Sequence, residues 1–218
     1  MIRTTVYLIR HGDVEPQFSL DRRRVLYGPE AVLSDTGRAK AQRLAEKMTG
    51  IGPIAAIYTS PYPRASETAR IIAQAFGINM ITDDRLHDTL APKLWGTPLD
   101  EVLKRGPNSF WDSPTEGQET PAQIDARMFA AFNEIIKAYE GKSLAIVSHG
   151  DPIKILYYRL YHRKGALPPM RDLKKCELGN AESCRLVLDA ESSVKGEDFF
   201  FQRDGTILNE HCFLKSND

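Results

Sequence analysis

The stretch Thr4-Thr5-Val6-Tyr7-Leu8-Ile9-Arg10-His11-Gly12 decides the fold class of this chain. Its first six residues are mostly apolar or β-branched, which predicts a buried strand, and the glycine after the charged pair predicts a turn. A second predicted strand ends in the same way, because Ser143-Leu144-Ala145-Ile146-Val147 runs directly into Ser148-His149-Gly150. Side chains at such strand ends lie where α/β folds bind their ligands.

The composition is that of an ordinary globular protein. The chain has 218 residues, of which 42% are hydrophobic and 27% charged, so it has room for one domain with a full core. Lys plus Arg and Asp plus Glu both total 29, which leaves no global field to attract nucleic acid or a membrane surface. We therefore expect a single domain over residues 1–218, with neither nucleic acid nor membrane as a partner.

The chain start and the cysteines bear on the compartment. Met1-Ile2-Arg3 leads directly into the first strand, without the apolar core of a signal peptide, and no apolar stretch approaches the length of a membrane span. The three cysteines, an odd number without CxxC spacing, are typical of a reducing environment. They are Cys176, Cys184 and Cys212. These features predict a cytoplasmic protein.

Strand and helix patterns alternate along the chain. The predicted strands are 4–9, 54–59, 78–81, 144–147, 184–188 and a last one near 199–202. The predicted helices run from residue 34 or 35 to Gly50, from about 65 to 76, 99–104, 122–139 and 152–161. Two irregular segments, 13–32 and 82–121, remain as long loops. This alternation predicts a three-layer α/β/α sandwich with a mainly parallel central sheet.

Four chemically active side chains converge if the sheet is parallel, since the carboxyl ends of parallel strands meet at one edge. They are Arg10, His11, Arg64 and His149. Two predicted helices begin at the same edge, with Tyr62-Pro63 and Asp151-Pro152 each typical of a cap followed by a first-turn proline. Helix N-termini favour anions, and arginine binds phosphate oxygens in a bidentate manner. The constellation predicts a phosphate pocket.

At this point the chain resembles the histidine phosphatase (phosphoglycerate mutase-like) superfamily. The motifs that carry the resemblance follow one another in the expected order over nearly the whole chain. They are Arg10-His11-Gly12, Leu33-Ser34-Asp35-Thr36-Gly37, Thr59-Ser60-Pro61 with Arg64, Thr68 and Ala69, Leu86-His87-Asp88, residues 117–119 with Arg127, and Ser148-His149-Gly150.

The resemblance implies that His11 is the nucleophile that forms a phosphohistidine, that Arg10, Arg64 and His149 hold the phosphoryl oxygens, and that Asp88 protonates the leaving oxygen. This division of labour is physically sound. Phosphoryl transfer asks the protein for positioning and charge stabilisation, which two arginines and a protonated histidine supply. A neutral imidazole is a competent nucleophile when its other nitrogen is held as a donor.

Two departures from the family pattern leave alternatives open. The family has a glutamate where this chain has the shorter Asp88, so the neighbouring Asp84 is a second candidate acid. The mutase branch has an asparagine six residues after the nucleophile, where this chain has Gln17, a predicted substrate-binding residue. No metal-ligand spacing is present, neither HExxH nor a Cys/His cluster, so we expect neither a metal nor a cofactor.

Further substrate contacts are predicted around the pocket. Gly12 and Gly150 are expected to let the backbone approach the phosphate closely. The run Arg22-Arg23-Arg24 has two interpretations, a solvated charge run or a secondary anion site in which Arg24 binds substrate. His87, His162 and His211 lack a partner pattern and are assigned to the surface or to packing.

Three functions are compatible with this pattern. The leading one is a metal-independent phosphatase that hydrolyses a small phosphorylated metabolite through a phosphohistidine on His11. The second is a phosphoglycerate mutase, which returns the phosphoryl group to a substrate hydroxyl. The third is a non-catalytic module that binds phosphate without turnover. The sequence decides neither the substrate nor the oligomeric state, since fold analogy does not identify a ligand.

Overall fold

The computed structural model describes residues 3–104, 109–162, 167–170, 173, 178–189 and 194–200, and every element below lies in these ranges. The predicted strand near 199–202 corresponds to a strand that begins earlier, and residues 201–202 lie outside the described part. Of the three cysteines, Cys184 is buried and free, whereas Cys176 and Cys212 also lie outside it.

A six-stranded mixed sheet forms the centre of the fold, in the order β3-β2-β4-β1-β5-β6. Its strands are β1 (Thr4–Arg10), β2 (Ala56–Thr59), β3 (Met80–Thr82), β4 (Ser143–Ser148), β5 (Ser183–Leu188) and β6 (Val194–Phe200). The four strands from β3 to β1 pair in parallel, and β5 joins β1 and β6 in antiparallel register. The predicted mainly parallel α/β sheet is confirmed.

Helices cover both faces of this sheet. They are α1 (Asp35–Thr49), α2 (Pro63–Phe76), α3 (Leu99–Lys104), α4 (Ser109–Asp112), α5 (Pro121–Ala138) and α6 (Gly150–His162), with a 3₁₀ turn at Asp84–Leu86. Alternate residues of β1 enter two separate hydrophobic clusters, because successive side chains of a strand point to opposite faces. Tyr7 and Ile9 pack with α1 and α2, and Val6 and Leu8 pack with α5 and α6.

Local signals in the sequence explain where several helices begin. The Ser34 hydroxyl accepts a hydrogen bond from the Gly37 N–H at 3.0 Å and caps α1. Tyr62 precedes α2 with Pro63 in its first turn, as predicted. The prediction for α6 was wrong in one respect: the helix begins at Gly150, so Asp151 lies in its first turn and does not cap it. The described part contains no helix that is both long and apolar enough to cross a membrane.

The strand register aligns the ends of β1, β2 and β4 at one edge of the sheet. Arg10 lies opposite Ser148, and Thr59 lies opposite Val147. Backbone hydrogen bonds continue past the strands, from the His11 N–H to the Ser148 carbonyl at 3.1 Å and from the Ser60 N–H to the Val147 carbonyl at 3.0 Å. The residues that follow these three strands are therefore held beside one another.

Candidate active site

The four predicted side chains and Asp88 reach the same sheet edge from different elements. Arg10 ends β1 and His11 follows it, Arg64 lies in the first turn of α2, and His149 joins β4 to α6. Asp88 follows the 3₁₀ turn that comes after β3. The rings of His11 and His149 are 5.1 Å apart between centroids. The structure thus brings together the residues that the sequence placed in one pocket.

His11 is buried and held in one tautomer. Its Nδ1 lies 2.7 Å from the Gly12 carbonyl oxygen, and because a carbonyl only accepts, Nδ1 must donate and Nε2 keeps its lone pair. Burial lowers the pKa of His11 to about 4, and the charges of Arg64 and Arg10 add to this shift, whereas the Gly12 hydrogen bond and Asp88 oppose it. The imidazole is therefore neutral near pH 7, as a nucleophile requires.

Arg64 is fully buried and held on several sides. Its Nη1 donates to the Gly28 carbonyl at 3.1 Å, and its Nη2 donates to Asp88 Oδ2 at 2.8 Å. The guanidinium carbon lies 5.0 Å from the ring centroid of Tyr27 and 5.1 Å from that of Tyr62, which is cation–π distance. Its Nε is buried without a hydrogen-bond partner. These contacts fix a planar donor group beside the cavity.

Two glycines of the RHG and SHG motifs serve packing. The Arg10 Nη1 donates to the Leu178 carbonyl at 2.7 Å, and a Cβ on Gly150 would lie 3.2 Å from the Arg10 Cζ. A Cβ on Gly12 would lie 2.7 Å from the Gly37 carbonyl oxygen, at the start of α1. Gly12 thus allows β1 to approach α1, and Gly150 leaves room for the Arg10 side chain. The expected approach of both glycines to a phosphate stays a prediction.

His149 lies between Ser60 and Asp88. Its Nε2 is 2.8 Å from Ser60 Oγ, and its Nδ1 is 3.4 Å from Asp88 Oδ2. Complete burial lowers the pKa of His149 well below its usual value, although Asp88 opposes this shift. The expected protonated histidine is therefore not the form of the free site, because burial and neighbouring cations disfavour a third positive charge.

Asp88 connects Arg64 with His149. Its Oδ2 contacts both side chains, and its Oδ1 accepts from the Thr89 N–H at 2.8 Å. Burial raises the pKa of Asp88, but the permanently charged Arg64 and the Thr89 hydrogen bond oppose this, and the pKa lies below its usual range. Asp84, the alternative acid, is exposed and does not line the cavity. The geometry favours Asp88.

A buried ion pair holds the segment that carries Asp88. Arg127 of α5 donates through Nε to Glu119 Oε1 at 2.6 Å and through Nη2 to Oε2 at 2.8 Å. The same guanidinium donates to the carbonyls of Arg85 at 2.7 Å and His87 at 2.9 Å. The sequence showed Glu119 and Arg127 only as parts of a family motif. Their place in the structure points to the positioning of Asp88.

A cavity of about 220 Å³ opens onto these groups. The sequence does not identify several residues of this lining, because no pattern marks which loop side chains turn inward. They include Tyr27, Tyr62, Trp95, Phe110 and Asp151. Three predicted substrate residues, Gly12, Gln17 and Arg24, are not in the lining, and the fully buried His149 is not in it either. Gln17 donates to Glu30 Oε1 at 3.4 Å, and Arg24 is exposed.

The arginine run ties one loop to a helix. Arg23 contacts Asp21 Oδ2 and Glu101 Oε1, both at 2.6 Å, and so connects the 13–32 segment to α3. Its neighbours Arg22 and Arg24 are exposed. Nothing in these contacts favours a secondary anion site, and the interpretation as a mainly solvated charge run fits them better.

The described residues contain one set of side chains that could hold a metal ion. His11, Asp88 and His149 each offer a ligand atom, and these atoms lie within 4.8 Å of one another. Sequence spacing did not reveal the set, because the three residues come from distant elements. Arg64 already pairs with Asp88 at 2.8 Å, so a metal ion bound to this set would lie beside a permanently charged guanidinium. The absence of a resident metal stays a prediction.

Comparison with known proteins agrees with this geometry. A family model described as histidine phosphatase superfamily (branch 1) matches residues 6–194. The chain belongs to the histidine phosphatase superfamily. It is 29% identical over 181 residues to phosphoglycerate mutase-like protein 4 of Arabidopsis thaliana. This alignment covers 78% of this chain and 74% of the relative.

Solved structures of other proteins share the fold. The structure of Bacillus stearothermophilus YhfR aligns with a TM-score of 0.73 at 26% identity, over 88% of this chain and 94% of its own. A phosphoserine phosphatase from Entamoeba histolytica, solved with 3-phosphoglyceric acid, aligns with a TM-score of 0.68 at 20% identity, over 93% and 100%. Proteins similar to this chain thus include one named as phosphoglycerate mutase-like and a phosphatase solved with a small phosphorylated molecule.

Proposed function

We propose that this protein is a phosphomonoesterase that transfers the phosphoryl group of a small phosphorylated metabolite to His11 and then to water. In this proposal Arg10, Arg64 and His149 bind the phosphoryl oxygens, and Asp88 serves as general acid and then general base. The observation that carries the proposal is the state of His11, neutral and with Nδ1 fixed as a donor, so that Nε2 is available to attack phosphorus.

In the first step, His11 Nε2 forms a bond to phosphorus while the bond to the leaving oxygen breaks. The electron pair of that bond stays on the oxygen, which takes a proton from the Asp88 carboxyl. Asp88 is ionised in the free site, so its proton must come with the substrate or from solvent. An anionic ester beside Arg64 cancels the charge that holds the Asp88 pKa down, which favours its protonation once substrate is bound.

In the second step, a water molecule attacks the phosphohistidine. Asp88, now a carboxylate, accepts a proton from that water, and the bond between Nε2 and phosphorus breaks with its electrons returning to His11. The arginines stabilise the charge on the equatorial oxygens in both steps. The free site is restored after release of inorganic phosphate.

The test is hydrolysis of 4-nitrophenyl phosphate in the presence of EDTA by the wild type and by His11→Asn, which keeps a polar side chain of similar reach. We expect turnover that survives chelation and is lost in the variant. The matched control is His162→Ala, since His162 ends α6, roughly 18 Å along the helix from Gly150. A His11→Asn protein with wild-type turnover would contradict the proposal.

Phosphoglycerate mutase activity is the second candidate, because the Arabidopsis relative is named as phosphoglycerate mutase-like. A mutase must hold the second acidic group of phosphoglycerate. Among the described residues that line the cavity, the permanently charged cations are Arg10 and Arg64, and both serve the transferred phosphoryl group in our proposal. Conversion of 3- to 2-phosphoglycerate with a bisphosphate primer, at a rate above hydrolysis, would favour the mutase. Tight vanadate binding without turnover of any ester would instead indicate a binding module.

A further inference from the structure

The wall of the cavity divides into two chemically different parts. One part carries the charged groups around His11. Among the contacts of the described residues, the other part, which we call the apolar wall, holds the catalytic side chains only through the Pro29 carbonyl, which accepts from Arg64 Nη1 at 3.4 Å. Its members are Leu26, Pro29, Ala91, Trp95 and Phe110. Such a surface favours contact with an apolar or aromatic group, since it gains by removal from water.

The charged part is balanced before any substrate binds. The described lining contains two permanent cations, Arg10 and Arg64, and two carboxyl groups, those of Asp88 and Asp151. A phosphoryl dianion makes full use of both arginines. A second anionic group on the same substrate would then meet no described cation in the lining, and it would meet the Asp151 carboxylate.

Asp151 presents this carboxylate from the first turn of α6. Lys154, one turn further along, contacts its Oδ1 at 2.9 Å, but Lys154 is itself buried and is absent from the described lining. About a third of the Asp151 side chain is exposed, 32%, so part of the carboxyl faces open space. Burial raises the pKa of Asp151, and the contact with Lys154 opposes this shift. Lys154 therefore keeps Asp151 in place, while the negative end of the ion pair lies toward the cavity.

Resting on the proposed phosphatase function, we infer that the cavity selects phosphomonoesters whose leaving group is apolar or aromatic and carries no second anionic group. Asp151 is the residue that rejects the second anion, and the apolar wall binds the leaving group. This assigns to Asp151 a role in specificity that differs from the capping role its sequence suggested.

The experiment compares two aryl esters of the same shape, 4-carbamoylphenyl phosphate and 4-carboxyphenyl phosphate, which differ in charge. The wild type should have a kcat/KM for the neutral ester that is about tenfold higher or more, the size expected for two like charges several ångströms apart near a protein surface. In Asp151→Asn this ratio should fall by about the same factor. Comparing ratios within one protein removes any general loss of activity in the variant.

Two further variants keep the test decisive. Asp84→Asn removes a carboxylate of the same kind outside the cavity and should leave the ratio at its wild-type value. The double variant Asp151→Asn/Lys154→Met removes both members of the pair, so it avoids a buried unpaired ammonium if Asp151→Asn fails to fold. It should also lower the ratio.

The outcomes separate the inference from the function it rests on. Turnover of neither ester by the wild type overturns the proposed phosphatase and the inference with it. Equal kcat/KM for the two esters, or a ratio that Asp151→Asn leaves unchanged, overturns the inference while the phosphatase stands. The apolar wall has its own readout, since Trp95→Ala should reduce kcat/KM for phenyl phosphate relative to β-glycerol phosphate by about tenfold. An unchanged ratio there overturns the binding role of the wall.

Discussion

His11 and Asp88 belong to the same cavity, but the chain holds them there by different means. His11 directly follows a central strand, and the hydrogen bond from its N–H to Ser148 continues the ladder of β1 with β4. Asp88 follows a 3₁₀ turn in a long segment and depends on Arg127, which donates to the backbone beside it and is held in turn by Glu119. The nucleophile is positioned by the sheet, whereas the acid is positioned by side chains, so the two should respond differently to substitution.

The largest effect should come from the titration of His11 at the sheet edge, and it should appear in the free energy of unfolding. The pKa of His11 is about 4 in the folded chain, against a usual value of 6.5. Between these pH values the unfolded chain therefore binds a proton at His11 and the folded chain does not. The His11 contribution to the free energy of unfolding is fully present above about pH 6.5. It falls by roughly 3 kcal/mol as the pH decreases toward 4.

Urea unfolding of the wild type and His11→Asn at pH 7.5 and pH 4.5 measures this contribution. The difference in unfolding free energy between the two proteins should shift against the wild type at the lower pH. A stability difference between the two proteins that is the same at both pH values does not affect the result, because only the change of that difference with pH reports the titration of His11. Parallel curves for the two proteins would show that His11 is not held neutral by the fold.

The comparison also explains what the sequence could predict. The β-branched run before Arg10 and the apolar run before His149 each end at a glycine, and parallel pairing is enough to bring such ends together. Register and convergence then follow from local patterns. The position of Arg64 could be predicted for the same reason, since it lies in the first turn of the helix that follows β2.

The loops depended on contacts that no local pattern encodes. Leu26 donates its N–H to the Thr97 carbonyl at 2.9 Å, and Val25 bridges to Pro98, so the segments 13–32 and 82–121 fix one another across a long separation in the chain. That mutual support turns Trp95 toward the cavity and leaves Arg24 exposed. Asp151 was misassigned for a related reason: its side chain pairs with Lys154 and does not cap α6.

A smaller effect is expected at the acid, and it separates Asp88 from Asp84. Asp88→Asn should reduce kcat/KM for an alkyl ester such as β-glycerol phosphate by about a hundredfold, because general acid catalysis is lost. The loss should be much smaller for 4-nitrophenyl phosphate, whose leaving group needs little protonation. Asp84→Asn, an exposed carboxylate close in sequence, should retain wild-type values for both esters.

Steady-state kinetics of the two variants on both esters decides between the candidate acids. A large loss for the alkyl ester in Asp84→Asn, with Asp88→Asn close to wild type, would transfer the role to Asp84. An equal loss for both esters in Asp88→Asn would mean that Asp88 acts by holding Arg64 and not by donating a proton.

The smallest effect should come from the support beneath the acid. Glu119→Gln keeps the shape of the side chain but removes the charge that accepts two hydrogen bonds from Arg127. Arg127 would then hold the carbonyls around Asp88 less firmly, and kcat/KM for β-glycerol phosphate should fall by about tenfold. If Glu119 acts through Asp88, the loss should again be smaller for 4-nitrophenyl phosphate. A general loss of packing would lower kcat/KM equally for both esters.

The double variant Asp88→Asn/Glu119→Gln sharpens this distinction. Residues that act as one unit are not additive, so the second substitution should cost little once the acid is gone. If the two losses in kcat/KM multiply in the double variant, Glu119 affects the sheet edge directly. The distinction between a nucleophile held by strands and an acid held by side chains would then be wrong. Near-equality of the double variant and Asp88→Asn supports that division, because the Arg127–Glu119 pair then acts on catalysis only through the segment that carries Asp88.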